Sequence, residues 1–578
     1  MRRLLLLLLL FPGAIGATES EKLRRVTDEW RKARTQTRPI ESYLRPLVAS
    51  DPHFSSDPGL ELDHMGAEMR RAYDGLHYLL NTSLKAQFVG LSSDSLRQEW
   101  LRRYWRLRDP TPTTPENERR REHERRVAKS RRDFAWKESP GWDARGGILI
   151  TFGEPDSIIS EAPDIREGVG FIPGWEDWLY LDEKWVAQFE RPNPKGPWKF
   201  GRSSMPLSSR PDIVSREKYQ LGYSPEDLDH ADGRDRESDL IGLQEERRLL
   251  HQKDLANAHL SPEIVEHEIR NDLRARELLR KRDEAIWAFS KELEAGNDRF
   301  VLRGEPQRSI WYVFDVDVFK GPPGRMRVEV HYQFNIQDLT FSWKDSLYVA
   351  RYRVEGTLLD RNVREAARDT WSEALQAKNF RSTLEGRLLP GQLMFEVPEG
   401  VYRLAIRFVD QYGAAEGTYL TDVEVPRYDG RELAVSDIEM ATKIVYADES
   451  WHERFVKNDR LVIPNPIGVY RKSKQLTGYF EIYGLQLDDS GLCRYEVTYS
   501  IVPRSLGREE GWFPRSGLQR RPFVTASFTG EGGTRELVEE LRVDIAALEE
   551  DSYDIVLTVH DLVADVEAIA RSAFVVFE

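Results

Sequence analysis

Cysteine is all but missing from this 578-residue chain: Cys493 is the sole one. One thiol excludes any intramolecular disulfide, and no cysteine follows the apolar leader to carry a lipid. Long apolar runs are also missing. The only candidate opens the chain, "MRRLLLLLLLFPGAIGATES", and Pro12 interrupts it well short of the ~20 residues a membrane span needs. Positive charge is in deficit, with 84 Lys and Arg against 98 Asp and Glu and a net charge of -14, which excludes a general nucleic-acid binder. Metal spacing is missing too. The 11 histidines form no HxxxH pair, there is no CxxC, and His251, His259 and His267 would sit ~80° apart on a helix. No GxSxG elbow, P-loop or GxGxxG occurs. The sequence therefore predicts no metal centre and no cofactor.

What the chain does contain begins with that leader. Arg2 and Arg3, the apolar Leu4–Phe11 and the small residues Ala14 and Gly16 have the pattern of a signal peptide over 1–16. Cleavage near Ala17 would leave an exported protein, periplasmic or extracellular, with no transmembrane segment. At ~100–200 residues per domain, the length predicts three to five units.

Residues 17–93 carry charged and apolar positions at helix spacing. A helix from Asp94 carries Trp100, Leu101, Tyr104 and Trp105 and stops at "RDPTP". Thr114 as N-cap and Pro115 at the first helical position predict the next helix, whose stripe is His123, Val127, Ser130 and Phe134. Between Arg97 and Arg132 stand twelve arginines and one lysine against six acids. That excess fits either an anion-binding face or, as we read it, a solvated face paired with acids. "GWEDWLY" and "KWVAQFE" then read as strands closing a small α+β module over 94–200. Residues 201–302 read as a polar loop and helical linker. Asp227, Asp229 and Asp232 there make a weak calcium candidate, since the third acid is one residue too far along for an EF-hand loop.

The last half alternates apolar and polar residues, which predicts strands with one buried face. It also matches itself. "RVEVHYQF" (327–334) aligns with "RYEVTYSI" (494–501), and "YRLAIRFVD" (402–410) with "YDIVLTVHD" (553–561). These matches predict two copies of one β-sandwich, over 303–426 and 460–578, with a linker over 427–459. Tyr402 and Tyr553 each open a strand after an acidic turn, as in the tyrosine corner of immunoglobulin-like sandwiches. The alignment sets Cys493 on Met326, a core position, so the thiol reads as a small hydrophobe. The fold class is thus α+β multidomain: a helical N-terminal region, a small α+β module, a helical linker and two immunoglobulin-like β-sandwiches.

One stretch could carry chemistry: "GWDARGGILITFGEPDSI", 141–158. Gly141 opens the motif, Gly146 and Gly147 allow a tight turn, Ile148–Phe152 reads as a strand that Gly153 ends, Pro155 and Asp156 suit a turn, Trp142 is an apolar plug, and Arg145 can pair with a carboxylate. Every residue has a structural use, which favours a fold signature. The candidate binding residues are Arg145, Glu154, Asp156, Trp175 and Trp178. A hydrolase acting on envelope polysaccharide or peptide would instead use Glu154 with Asp156, or Glu176 with Asp177.

The stretches "YWRLRDPTPTTPENE" (104–118), "DFAW" (133–136) and "GWDARGGILITFGEPD" (141–156) resemble the GWxTD domain of exported bacterial proteins. "SDIEMA" (436–441) and "PNPIGVYRKSKQLTGYFEIYGL" (464–485) resemble the region often found with it. The name-giving Thr-Asp is absent here, and "GWDARG" is one residue shorter than the family pattern. The resemblance implies a bacterial exported protein and no particular activity. The expected role is a non-enzymatic envelope or secreted scaffold with a protein or glycan partner, or a peptide binder using sandwich edges.

Overall fold

The computed structural model describes residues 37–55, 64–206 with short breaks from 163 onward, 310–504 with breaks at 385, 414 and 448–452, and 524–577. The leader 1–16, most of the linker 201–302 and the calcium candidates Asp227, Asp229 and Asp232 lie outside the described residues. The chain divides into two compact units. One takes Leu44–Arg108 and Glu118–Arg303, and the other Met1–Tyr43, Asp109–Asn117 and Gly304–Glu578.

Helices α1 (Ile40–Ala49), α2 (Ala67–Leu76), α3 (Thr82–Gly90) and α4 (Asp94–Leu107) precede the motif, and each of the last two is capped by its own sequence. The Asn81 side chain accepts the Leu84 N–H at 2.9 Å, and Ser93 Oγ accepts that of Leu96 at 3.4 Å. These bonds satisfy amides that a helix start leaves without partners. Helix α5 (Glu118–Asp133) starts later than its sequence signals suggest. The Thr114 hydroxyl donates to the carbonyls of Thr111 at 2.9 Å and Glu116 at 3.0 Å, so it closes a turn instead of capping.

The clearest correction concerns 148–152. These residues are not a strand; they belong to helix α6 (Ala144–Phe152). Asp143 caps it by accepting the Arg145 N–H at 3.1 Å. Residues Gly146–Phe152 are buried throughout, so no amphipathic stripe exists for periodicity to reveal, and the β-branched run misleads. Helix α6 packs on an antiparallel sheet of β1 (Ser157–Glu161), β2 (Gly174–Tyr180) and β3 (Trp185–Arg191). Ile148, Leu149 and Phe152 meet Trp178, Tyr180, Ala187 and Phe189 in one core.

The other unit is β-rich. Its first seven long strands are β4 (Tyr312–Lys320), β5 (Met326–Asn335), β6 (Leu347–Leu359), β7 (Glu365–Ala377), β8 (Leu388–Val397), β9 (Gly400–Asp410) and β10 (Glu416–Val425), and the short strand Ser342–Lys344 pairs with β6. They form the sheets β8-β5-β4 and β7-β6-β9-β10, which share a single core. Next come β11 (Glu439–Tyr446), β12 (Arg460–Pro464), β13 (Gln475–Tyr483), β14 (Cys493–Pro503), β15 (Val524–Gly532), β16 (Leu537–Asp544), β17 (Ser552–Asp561) and β18 (Val566–Phe577). Here the sheets run β16-β13-β11-β12 and β15-β14-β17-β18. With β12 set aside as an insertion, the two sets have the same strand order.

The pairing corrects half of the sequence alignment. Strand β9 corresponds to β17, so Tyr402 does match Tyr553. Strand β14, however, pairs with β17 as β6 pairs with β9, not as β5 does. Tyr352 faces Asp410 and Val354 faces Phe408, while Tyr495 faces Asp561 and Val497 faces Val559. Val497 therefore matches Val354 and not Val330, and Cys493 matches Ala350 and not Met326. A two-residue period fixes which face a residue takes, but says nothing about which strand it is on. Cys493 is nonetheless a buried core residue.

Two side-chain devices recur in both copies. The Tyr402 hydroxyl donates to Pro398 O at 2.9 Å and that of Tyr553 to Glu549 O at 3.0 Å, each four residues back. The buried Asp410 accepts the Thr340 N–H at 2.8 Å, and the buried Asp561 that of Gln486 at 2.7 Å. Tyr402→Phe and Tyr553→Phe should each cost about 1 kcal/mol, because each removes a donor without changing shape. Urea denaturation of the full chain measures this, and a neutral result at both positions would mean the corners are ornamental.

Candidate functional site

The motif is assembled as a packed joint. Trp142 is buried and donates from Nε1 to Tyr78 Oη at 3.3 Å, with the Arg131 guanidinium 5.5 Å from its ring centre. The adjacent glycines serve packing, not a turn. A Cβ on Gly146 would lie 2.3 Å from Trp142 Cδ1, and one on Gly147 2.8 Å from Tyr78 Cε1. The conformational need lies at Gly141 and Gly153, with φ of 99° and 85°, where a side chain would be strained.

Arg145 is fully committed. Its guanidinium bonds Asp143 at 2.7 Å and Glu176 at 2.9 Å and lies between the rings of Phe134 and Trp198, 4.8 and 4.6 Å from their centres. Glu154 pairs with Lys129 at 2.9 Å and Arg125 at 3.3 Å. Asp156 is exposed, and its N–H bonds Leu179 O at 2.8 Å. Trp178 is 1% exposed and donates to Glu176 at 3.0 Å, so it is a core residue and offers no contact surface. Trp175 is half-buried on the same strand, and Pro155 is half-buried in the turn after Gly153. The arrangement spends its charges on itself.

The arginine-rich helices divide in the same way. Arg120 and Arg125 pair with Glu124 and Glu122 on the surface, as a solvated face requires. Arg97 and Arg126 are buried and act as caps. Arg97 donates to the carbonyls of Phe88 and Val89 at 3.3 Å and also to Leu91 O, closing the end of α3. Arg126 donates to Ile150 O at 3.2 Å and Thr151 O at 3.3 Å at the end of α6. Both positions place a cation where the helix dipole is negative.

Beside Arg126, the buried His123 packs on Trp105, with ring centres 4.9 Å apart. Burial pushes its imidazole down to about 3, and the charges of Arg119 and Arg126 add to this. The native state therefore holds the neutral form. Its stabilisation is complete above the ordinary histidine value and is lost as the pH falls from about 6.5 towards 3. The unit should lose about 2 kcal/mol on going from pH 7 to pH 5 through this group. His123→Gln should remove that part of the loss, and denaturation at the two pH values would show it. An unchanged slope would mean that other groups carry the acid sensitivity.

A second cluster, which sequence spacing does not reveal, lies in the seam between the two sets of strands. Asp317 on β4 and Glu329 and His331 on β5 point away from the first core and are covered by Glu439 of β11 and by Lys457. Lys457 Nζ pairs with both Glu329 and Glu439. His331 Nε2 lies 3.3 Å from Asp317, 3.5 Å from Glu329 and 3.7 Å from Glu439. Arg327 reaches Glu329 at 2.8 Å and Glu481 at 2.9 Å, and Glu481 also accepts from the hydroxyls of Tyr479 and Tyr483 at 2.7 Å each.

Burial sets the electrostatics of this cluster. It pushes Glu439 up to about 7, with Lys457 opposing and Glu329 adding to the rise. It also raises Asp317 well above the carboxylate range and lowers His331 to about 3. Burial would raise Glu329 too, but the Lys457 charge overcomes it and holds that carboxyl below its ordinary value. The donors come from three strands, with Glu439 far along the chain. The one local signal was the pair of alternating triplets Asp315-Val-Asp317 and Glu329-Val-His331, which put charge on a strand face that ought to be solvated.

No family model matches the chain, and no curated protein does. Among solved structures, it is similar to a β-glucuronidase of Parabacteroides merdae at 9% identity and a TM-score of 0.15, covering 43% of this chain and 28% of that one. A structure of that enzyme with glycerol in its active site matches at 10% identity and the same TM-score, covering 43% of this chain and 27% of that one. The chain thus spans under a third of the length of these enzymes.

Proposed function

We propose that this protein is an exported, non-enzymatic interaction scaffold of the bacterial envelope, related to the GWxTD group, with two immunoglobulin-like sandwiches as its binding arm. The observation that carries the reading is where charge and aromatic surface are placed. The motif's Arg145 and Glu154 are consumed by neighbours, whereas Trp343 and Phe380 stand 61% and 57% exposed on the first sandwich. Tyr348 joins them into one surface, 4.6 Å from Trp343 and 5.7 Å from Phe380 between ring centres. Exposed, clustered aromatics supply contact area at little entropic cost, which suits a protein or glycan partner. The tyrosine corners and the matched strand orders support the immunoglobulin-like assignment.

The test is capture from the native envelope, with a glycan array beside it, using the full chain and its Trp343→Ala/Phe380→Ala variant. At least a tenfold loss of the captured partner is expected. Equal capture by both would remove this surface from consideration. A hydrolytic activity that Glu154→Gln abolished in a folded protein would overturn the non-enzymatic reading.

A further inference from the structure

We propose that Glu329, His331 and Glu439, with Asp317 beside them, form a site for a first-row divalent metal ion in the sandwich seam, and that Lys457 is the tethered cation that occupies its charge when no ion is bound. The donor geometry is the first ground. Glu329, His331 and Glu439 offer ligand atoms that all lie within 4.8 Å of one another. An ion bound at ~2.1 Å holds neighbouring donors roughly 3.0–3.4 Å apart in octahedral or tetrahedral geometry. The Glu329 and Glu439 oxygens stand 3.5 and 3.7 Å from His331 Nε2, so a contraction of a few tenths of an ångström brings each to that spacing from the imidazole.

Histidine itself supplies the second, independent ground. His331 is 1% exposed, and neither ring nitrogen has a hydrogen-bond partner. A buried imidazole in that condition costs free energy unless something binds it. Its Nε2 faces three carboxylates, and a cation would satisfy it together with Glu329 and Glu439. Oε1 of Glu439 likewise lacks a hydrogen bond, while its Oε2 takes the Lys457 ammonium.

Charge balance is the third ground. The strand register sets Asp317 directly opposite Glu329, and like charges in that position repel. Three carboxylates then share one ammonium, while Arg327 divides its charge between Glu329 and Glu481. Buried acids in excess of buried cations either stay protonated or take up a further positive charge. The mixed donor set of one imidazole and two carboxylates suits Zn²⁺ or Mn²⁺, whereas Ca²⁺ takes oxygen alone. Since β5 supplies two ligands and β11 the third, an ion here would clamp one sandwich to the other.

The experiment exposes the full chain to ZnCl₂, MnCl₂ or CaCl₂, dialyses it, and measures bound metal and thermal stability. About one equivalent of Zn²⁺ or Mn²⁺ with a raised Tm is expected, and none of Ca²⁺. Lys457→Met should tighten binding at least tenfold, because it removes the competing charge, and His331→Gln should weaken it at least tenfold. Co²⁺ gives a readout on the unmutated chain, through visible bands of a mixed nitrogen and oxygen site. The proposal is overturned if neither the natural chain nor Lys457→Met retains metal. It is also overturned if His331→Gln retains metal as well as the natural chain, or if the Co²⁺ spectrum is that of the hydrated ion.

Discussion

Arg97→Met should destabilise its unit by about 3–5 kcal/mol, the cost of breaking a buried charge network by removing one partner. Arg97 is completely buried, although by composition the arginines of its helix read as a solvated basic face. Its guanidinium serves Phe88 O, Val89 O and Leu91 O and pairs with Asp94 at 2.8 Å. Methionine fills the space but gives those carbonyls nothing, and they stay buried. Arg102→Met, one turn along and paired with Glu99 on the surface, should cost no more than about 0.5 kcal/mol. Urea denaturation of both variants decides the matter: equal effects would mean that Arg97 is only another surface arginine.

Trp142→Ala should also cost about 3–5 kcal/mol, through the cavity left by a large buried ring. The glycine beneath it makes a sharper test. A Cβ on Gly146 would lie 2.3 Å from the indole, so Gly146→Ala should be destabilising alone but much less so on top of Trp142→Ala. A double-mutant cycle should show coupling above about 1 kcal/mol. Additive effects would mean that the glycine answers some other need, and the packing account of the motif would fail.

In the motif, the environment of the side chains and the type of element came apart. Its residue types pointed to a structural joint, and Trp142 and Arg145 are placed as such a joint requires. Yet 148–152 form a helix, because a segment buried on every side shows no period, and a run of isoleucine, leucine and phenylalanine suits either element. The N-cap Asp143 is the signal that marks the helix start. Trp178 was taken for contact surface for the same reason: aromatic residues on a short strand do not show which face is covered.

Local chemistry was determined by the sequence itself. The caps Asn81, Ser93 and Asp143 and the strand phases of the last half follow from residues near one another in the chain. Tertiary structure alone decided which strands correspond between the two copies, because alternation repeats identically on every half-buried strand. It alone decided which arginines are solvated and which are caps, because a carbonyl partner leaves no trace in composition. And it alone brought Glu439 and Lys457 over Glu329 and His331, because a strand face carries the same alternation whether water or another sheet covers it, and only the covering turns scattered acids into a buried cluster.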